Sequence, residues 1–451
     1  MTVYTSVTDA DRAAMLATIG VASVEELFAD IPAELRLGRP LDIAAGLSEQ
    51  EVHREMVRLA AANTSTDTEI SFLGAGMYDT YVPAIVDSIL SRSEFLTPYT
   101  PYQPEISQGG LQVMFEYQTA ISELTGLPIS NASVYEGPSA VAAAGYVAKH
   151  HNGRRRFVVS AGVHPHAIET LSTYAHGYGM AVEVVELVDG ATVLGALGED
   201  VSAVIVAQPN FLGAVEDIES LAATAHAAGA LLICAADPVP LGIVRAPGEA
   251  GADIVVGEGQ TLGNRLDFGG PSFGFFAVSE PLLRRLPGRL AGETRDRDGR
   301  RGFVLTLQTR EQHIRRDKAT SNICTAQALN ALAGVVYLSW LGREGIVELA
   351  ELLLQRTAYA RTQLASIPGV SLSHTRPVVR EFPITVDGDL DAVIAHCRTR
   401  GIHPGLRLSD HELLVAITEL RTREHIDALV AAIAEALGVQ AGQLIHEEVL
   451  V

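Results

Sequence analysis

Three groups of residues in the middle of the chain have types and positions that could serve one chemistry. Residues 135–140 form a turn with glycine and proline that leads into a helix of small residues. His164 follows the next strand-like run, and Asp237 follows a later one. A helix start offers free N–H groups to a phosphate. An imidazole can stack on a ring, and a carboxylate at a strand end can keep a pyridine nitrogen protonated. The three groups therefore outline a pyridoxal-phosphate site.

Such a site also needs a lysine that forms a Schiff base, expected at the end of the strand after the carboxylate. That strand is 254–256, and the following loop, 257–265, contains no lysine. Gln260 or a neighbour stands where the lysine would be expected. The 33 basic residues include only two lysines, Lys149 and Lys318, and neither is well placed. The residues therefore indicate the fold of a pyridoxal-phosphate enzyme that lacks the Schiff-base lysine. The candidates for this degenerate cofactor site are Glu136, Gly137, Ser139, His164, Asp237 and Gln260.

Other motifs are weaker. Residues 257–263 read GxGxxxG with no helix pattern after them, which argues against a dinucleotide site, and no Walker-type GxxxxGK[ST] occurs. His164 and His166 could form a metal pair, but no HExxH or carboxylate spacing supports one. We therefore predict no metal. The chain has no GxSxG elbow, and no cysteine lies in a nucleophile motif.

Composition excludes several classes of function. The net charge of −21 disfavours a broad nucleic-acid surface or an anionic membrane. The apolar runs are too short to span a bilayer. The cysteines at 234, 324 and 397 are few and far apart, which is typical of a reduced, cytoplasmic protein.

Apolar runs and helix signals position these residues in an α/β fold. The first 70 residues look helical, and 48–51 has the pattern of a capping box. From about 130 to 280, continuous apolar strands alternate with helix-like stretches, which indicates a parallel sheet covered on both faces. The arginine-rich run 284–318 reads as a loop. We expect two packed helices after it, and then a small α/β unit that begins with a half-buried strand at 382–386.

Three long motifs resemble glycine dehydrogenase (decarboxylating) subunit 1, the alpha subunit of the two-chain P-protein of the glycine cleavage system. They are 72–79 with 81–83, 94–109, and 316–325. The family usually has Asp and Thr in the turn where this chain has Glu136, Pro138 and Ser139. A proline there removes an N–H donor that a phosphate could use.

The resemblance implies a fold-type-I pyridoxal-phosphate architecture. The implied division is an N-terminal helical arm (1–70), a large and mostly parallel α/β domain with a degenerate site (71–325), and a smaller C-terminal α/β domain (326–451). It also implies that a beta subunit holds the pyridoxal phosphate, with none held covalently by this chain. The holoenzyme would decarboxylate glycine and pass the aminomethyl group to the lipoyl arm of the H-protein.

The tyrosine-rich segment, residues 78–108, is polar and is not needed for a sheet core. We predict either that part of it borders the active site of the partner or that it only orders the subunit interface. The candidates are Tyr78, Tyr99, Tyr102, Gln103, Glu105 and Gln108. Two other functions stay open: an independent pyridoxal-phosphate aminotransferase or decarboxylase that uses Lys318, and a scaffold without a catalytic role.

Overall fold

The computed structural model describes residues 6–319, 323 and 326–439, and the chain divides into two units, Met1–Thr64 and Ser65–Val451. The first unit contains α1 (Asp9–Ile19) and α2 (Glu49–Ala60) with short 3₁₀ turns between them. Thr8 and Ser48 begin these helices with capping boxes, so the predicted box at 48–51 is confirmed. No side chain between residues 6 and 64 is buried.

The second unit carries the sheets and the remaining helices. Its helices are α3 (Ala84–Leu90), α4 (Ser93–Leu96), α5 (Gln108–Thr125), α6 (Gly137–Asn152), α7 (Pro165–Tyr178), α8 (Ile218–Ala227), α9 (Gln312–Arg315), α10 (Ala328–Ala365), α11 (Leu390–Thr399) and α12 (Arg423–Ala436). Its strands are β1 (Ile70–Ser71), β2 (Ile129–Ser130), β3 (Arg156–Ser160), β4 (Ala181–Val185), β5 (Leu187–Val188), β6 (Ala191–Thr192), β7 (Val201–Gln208), β8 (Leu231–Ala236), β9 (Ile254–Glu258), β10 (Gly274–Val278), β11 (Leu290–Arg295), β12 (Arg301–Thr306), β13 (Val370–Leu372), β14 (Glu381–Val386), β15 (Ile402–His403), β16 (Leu406–Arg407) and β17 (Glu412–Ala416).

The main sheet has the strand order β2-β10-β9-β8-β7-β3-β4. Neighbours from β9 through β4 pair in parallel, while β10 runs antiparallel to both β9 and β2. The sequence predicted this mostly parallel sheet from its continuous apolar runs, and the prediction is confirmed. All eight residues of β7 are buried, because helices cover both faces of the sheet.

Two apolar layers enclose the sheet. On one face α6 and α7 pack against it through Val141, Val147 and Leu171. On the other face α5, α8 and α10 contribute, and the core there includes Ile121 and Leu221. With helices on both faces, the carboxyl ends of the parallel strands are left as the edge where a crevice forms.

A smaller sheet of order β13-β14-β17-β16 packs with α11 and α12 around its own apolar core. The predicted strand at 382–386 is β14, but it is not half-buried. Five of its six residues are buried, since β14 is an inner strand between β13 and β17 and carries Phe382 and Ile384 into that core.

Three elements differ from the sequence prediction. Helix α5 was missed because Gly109 and Gly110 lie in its first turn. Much of the predicted loop at 284–318 is a hairpin, since β11 and β12 pair from Leu290 with Thr306 to Arg295 with Arg301. The two helices expected after it form α10, which is broken at Gly342 by a left-handed φ of 65°.

Five residues of the third sequence motif, 320–322, 324 and 325, lie outside the described residues, as does 440–451. The three-part domain division at 70 and 325 stays a prediction. Within the described parts of the chain, no helix is both long and apolar enough to cross a membrane.

Candidate functional site: a cavity at the carboxyl edge of the main sheet

A cavity of about 450 Å³ lies where β3, β7, β8 and β9 end. The predicted site residues Glu136, Gly137, His164 and Asp237 all line it, although they are far apart in sequence. Arg380 and Glu381, from the start of β14, also line it, so the small sheet contributes to the site.

The start of α6 is the position that the sequence assigned to a phosphate, and its N–H groups already have acceptors. The N–H of Gly137 donates to Glu258 Oε2 at 3.0 Å, and the N–H of Ser139 donates to Glu136 Oε2 at 2.8 Å. Pro138 has no N–H. The N–H of Ala140 donates to the carbonyl of Glu136 at 3.1 Å. The first turn therefore leaves no N–H for an external anion.

His164 lies in the wall of the cavity, half-buried before α7. The N–H of His166 donates to its Nδ1 at 3.1 Å, so Nδ1 carries no proton and Nε2–H donates to the carbonyl of Ala75 at 2.9 Å. Burial lowers the pKa of His164 and keeps the ring neutral. Its edge faces Phe211, with 5.1 Å between ring centroids. The imidazole is thus fixed in one tautomer and orientation.

Asp237 is paired with a buried arginine. Its carboxylate contacts the guanidinium of Arg380, whose side chain is 4% exposed. The guanidinium also lies 3.5 Å from the centroid of the Tyr78 ring, which is a cation–π contact. Burial raises the pKa of Asp237, and the charge of Arg380 opposes that rise. The carboxylate predicted to hold a pyridine nitrogen is therefore already bound by this chain.

Glu381 joins Tyr78 and Ala75 in the same wall. Its carboxylate accepts the Tyr78 hydroxyl at 2.7 Å and the Ala75 N–H at 2.7 Å. Burial raises the pKa of Glu381 to about 7, against the opposing effect of these two hydrogen bonds. Glu381 thus ties residues 75–78 to the small sheet.

Gln260, in the loop where a Schiff-base lysine was expected, is fully buried and lies behind the cavity. Its Oε1 accepts the N–H of Tyr78 at 2.9 Å, and its Nε2 donates to the carbonyl of Tyr78 at 3.0 Å. Nε2 also donates to the carbonyl of Asn264 at 2.9 Å. The side-chain amide therefore pairs with both the N–H and the carbonyl of Tyr78, as a backbone amide of a neighbouring strand would. A lysine could not make this pair, because it has no acceptor.

The two lysines lie elsewhere. Lys149 is in α6 and donates to the carbonyl of Tyr178 at 2.8 Å, and Lys318 is exposed. Neither is among the described residues that line the cavity. Throughout the part of the chain that the structure describes, no group of three or more His, Cys, Asp or Glu could hold a metal.

Pyridoxal phosphate does not fit these residues. Its phosphate would meet Glu136 and Glu258 at a helix start without a free N–H, and its ring nitrogen would compete with Arg380 for Asp237. No lysine among the lining residues could form the Schiff base. We therefore derive no chemical step through the coenzyme in this chain.

The tyrosine-rich segment divides into a buried start and an exposed stretch, which is residues 96–106. Tyr78 is 7% exposed and lines the cavity, while Tyr99 is 85% exposed and Ile106 is 80% exposed. Gln103 and Glu105 are exposed as well. The structure therefore does not bring the other five candidates into the cavity.

Two contacts fix the exposed stretch to the chain. Tyr102 accepts a hydrogen bond of 3.1 Å from the buried Arg289, whose guanidinium lies 5.3 Å from the Tyr102 ring. Gln108 donates to the carbonyls of Pro104 and Phe303 and accepts the N–H of Phe303. Between these two points Gln103, Glu105 and Ile106 are exposed.

Sequence reasoning missed Glu258, Arg380 and Glu381. Glu258 ends a parallel strand, and that position could have drawn attention to it. Arg380 and Glu381 come just before an apolar strand, a place where charged residues are usually solvated, so their sequence gives no sign that they are buried.

The strand order, the cavity at the carboxyl edge and the small sheet beside it define a chain with the fold of the fold-type-I pyridoxal-phosphate enzymes. A sphingosine-1-phosphate lyase of Burkholderia pseudomallei shares this fold, with a TM-score of 0.63 and 16% identity over 90% of this chain and 94% of that one. A glutamate decarboxylase of Lactobacillus brevis gives a TM-score of 0.66 at 12% identity over 92% and 98%. The predicted fold class is confirmed.

The particular family follows from closer matches. The family model of the glycine cleavage system P-protein matches residues 2–433. A probable glycine dehydrogenase (decarboxylating) subunit 1 of Geotalea uraniireducens is 49% identical over 96% of this chain and all of that protein. Its counterpart in Chlorobium phaeobacteroides is 48% identical over 94% and 97%. A crystal structure of glycine decarboxylase (P-protein) in inhibitor-bound form has a TM-score of 0.90 at 44% identity, over 96% of this chain and all of that one. This chain belongs to the P-protein family.

Proposed function

We propose that the chain is the alpha subunit of a two-chain glycine decarboxylase of the glycine cleavage system. A beta subunit holds the pyridoxal phosphate that supplies the electron sink for loss of the glycine carboxylate. The aminomethyl group then passes to the lipoyl arm of the H-protein. The proposal is supported by the cavity, in which Asp237 and the start of α6 are already bound by side chains of this chain. It is also supported by an identity of 48–49% to proteins named probable glycine dehydrogenase (decarboxylating) subunit 1.

The exposed stretch supports a role at the subunit boundary. Leu96, Tyr99, Tyr102 and Ile106 are each more than half exposed and lie close together in sequence. Aromatic and aliphatic side chains in such a group are typical of an interface with another protein. The candidates Tyr99, Tyr102, Gln103 and Glu105 are therefore proposed to border the active site of the beta subunit.

Kinetics of the reconstituted complex test this role. Tyr102→Phe keeps the ring over Arg289 and removes the hydroxyl. We expect at least tenfold slower exchange of the glycine carboxylate with bicarbonate, as is usual for the loss of one positioned polar group. Tyr174→Phe is the matched control, because Tyr174 is 45% exposed on α7, outside the segment. Unchanged exchange for Tyr102→Phe and for substitutions of the other candidates would reduce the segment to an interface role.

Two further measurements separate the alternatives. Borohydride reduction of the chain with added pyridoxal phosphate, followed by peptide mapping, should find no labelled Lys318. A stable visible band that maps to Lys318 would favour an independent enzyme. Full activity of the soluble beta subunit without this chain would favour a scaffold.

A further inference from the structure

Glu258, at the end of β9, is an acid whose carboxylate gathers three hydrogen-bond donors from three parts of the fold. Oε2 accepts the N–H of Gly137 at 3.0 Å. Oε1 accepts the hydroxyl of Ser272 at 2.6 Å and the N–H of Gln260 at 3.1 Å. Two backbone N–H groups and a hydroxyl that converge on one anion are the usual composition of a phosphate-binding site.

The carboxylate is fixed closely against the start of α6. A Cβ added at Gly137 would lie 3.1 Å from the Cβ of Glu258, which is tighter than ordinary van der Waals contact. Glycine at this position therefore lets the helix start approach the strand end. Burial raises the pKa of Glu258, while the bonds from Ser272, Gly137 and Gln260 lower it. The donors thus compensate part of the desolvation of the charge.

Glu136 completes the arrangement from the other side of the helix start. Its carboxylate accepts the N–H of Ser139, and its negative charge adds to the rise in the pKa of Glu258. Two acidic side chains therefore share the positive end of the α6 dipole. An additional anion at this position would be repelled by both carboxylates.

We propose that this cavity contains an anion site and that Glu258 is its internal ligand. Removal of the carboxylate frees the Gly137 N–H, the Gln260 N–H and the Ser272 hydroxyl. These groups then bind a phosphate group, of which inorganic phosphate is the simplest example. Gly137, Glu258 and Ser272 all line the cavity, so the space left by the carboxylate would adjoin it. Within the proposed function, this internal ligand leaves phosphate-bearing coenzyme to the beta subunit.

Equilibrium dialysis of the full chain against labelled inorganic phosphate tests the proposal. Both solutions contain chloride at matched ionic strength. The wild-type chain should show no saturable binding, whereas Glu258→Ala should show a single saturable class. Phosphate should also raise the thermal midpoint of Glu258→Ala by about 2 °C when present at ten times its Kd, and leave that of the wild type unchanged.

Glu169→Ala is the charge-matched control. Glu169 is exposed on α7, so its substitution removes the same charge without opening the cavity. It should behave as the wild type does. If Glu258→Ala is recovered unfolded, Glu258→Ser carries the same comparison, since its hydroxyl can accept one of the three donors.

Saturable phosphate binding by the wild-type chain would overturn the proposal, and so would a folded Glu258→Ala or Glu258→Ser chain that binds none. Equal binding by Glu169→Ala would show that the effect is one of net charge and would also overturn it. The assay needs neither the beta subunit nor glycine. Its failure is therefore distinct from a failure of the proposed function, which is tested by exchange kinetics in the complex.

Discussion

The cavity and the exposed stretch (residues 96–106) differ in their contacts with the rest of the chain. Polar side chains of the cavity have partners within the chain, whereas apolar side chains of the exposed stretch lie in water. In and behind the cavity, charged and polar side chains have partners from the same chain: Asp237 contacts Arg380, Glu258 accepts the N–H of Gly137, and Gln260 accepts the N–H of Tyr78. In the exposed stretch, Tyr99 and Ile106 have most of their apolar surface in water.

The difference between the cavity and the exposed stretch indicates which of the two regions is available to bind another molecule. Asp237, Glu258 and Glu381 in this cavity already have partners from the chain, so a ligand that contacts them gains little because it must replace an existing contact. Covering an exposed apolar stretch with a partner protein is favourable, because it removes apolar surface from water. We therefore expect substitutions in the cavity to change the stability of the chain, and substitutions in the exposed stretch to change its assembly and activity.

The largest effect on stability is expected from Arg380→Met. The change leaves Asp237 buried without its counter-charge and removes the cation from the Tyr78 ring. The free energy of unfolding in urea should fall by about 3–5 kcal/mol. Arg376→Met is the control, since its pair with Asp189 is exposed and should contribute less than about 1 kcal/mol. A loss below about 1 kcal/mol for Arg380→Met would show that the cavity wall is not held by this pair.

Gln260→Lys asks whether returning a lysine to this loop restores the coenzyme anchor. We expect no visible band with pyridoxal phosphate, because the side chain at 260 lies behind the cavity. The lysine leaves the N–H of Tyr78 without an acceptor and buries a charge, so stability should fall by about 2–3 kcal/mol. A band that borohydride fixes to position 260 would contradict the placement of this residue behind the cavity.

The pH dependence of stability tests the cavity through Glu381, one of its lining residues. Glu381 has a pKa of about 7 in the folded chain against 4.5 as its ordinary value, so the folded state binds more protons between these values. Its contribution to stability is fully present below pH 4.5 and is lost as the pH rises through 7. Urea unfolding at pH 5 and pH 8 should show a decrease for the wild type that exceeds that of Glu381→Gln, by an amount on the order of 2 kcal/mol. Parallel curves would contradict the raised pKa.

The smallest effect on stability is expected in the exposed stretch. Ile106→Ser should change the unfolding free energy of the isolated chain by no more than about 0.5 kcal/mol, because Ile106 is 80% exposed. The same variant should weaken assembly with the beta subunit in sedimentation experiments. Ile314→Ser, at a site 49% exposed outside the stretch, is the control. Full assembly by Ile106→Ser would remove the exposed stretch from the interface.

Much of the fold could be predicted because its elements follow local patterns. The continuous apolar runs that became β3, β7, β8 and β9 indicated parallel strands, and the Ser48 box indicated the start of α2. Hairpin β11–β12 and helix α5 were missed because glycines and charges obscured their patterns. The pairing of β11 with β12 depends on contacts between strands that no single segment reveals.

The sequence by itself determined that the chain has the fold of a pyridoxal-phosphate enzyme and no lysine between residues 254 and 265. It also placed a turn, an imidazole and a carboxylate at successive strand ends, since the carboxyl ends of parallel strands share an edge. Only the tertiary structure decided what these groups contact. Arg380 reaches Asp237 and Glu258 reaches the start of α6 across more than a hundred residues of chain. Because a buried charge without a partner is costly in free energy, each such pair holds together the parts of the chain that form the cavity wall.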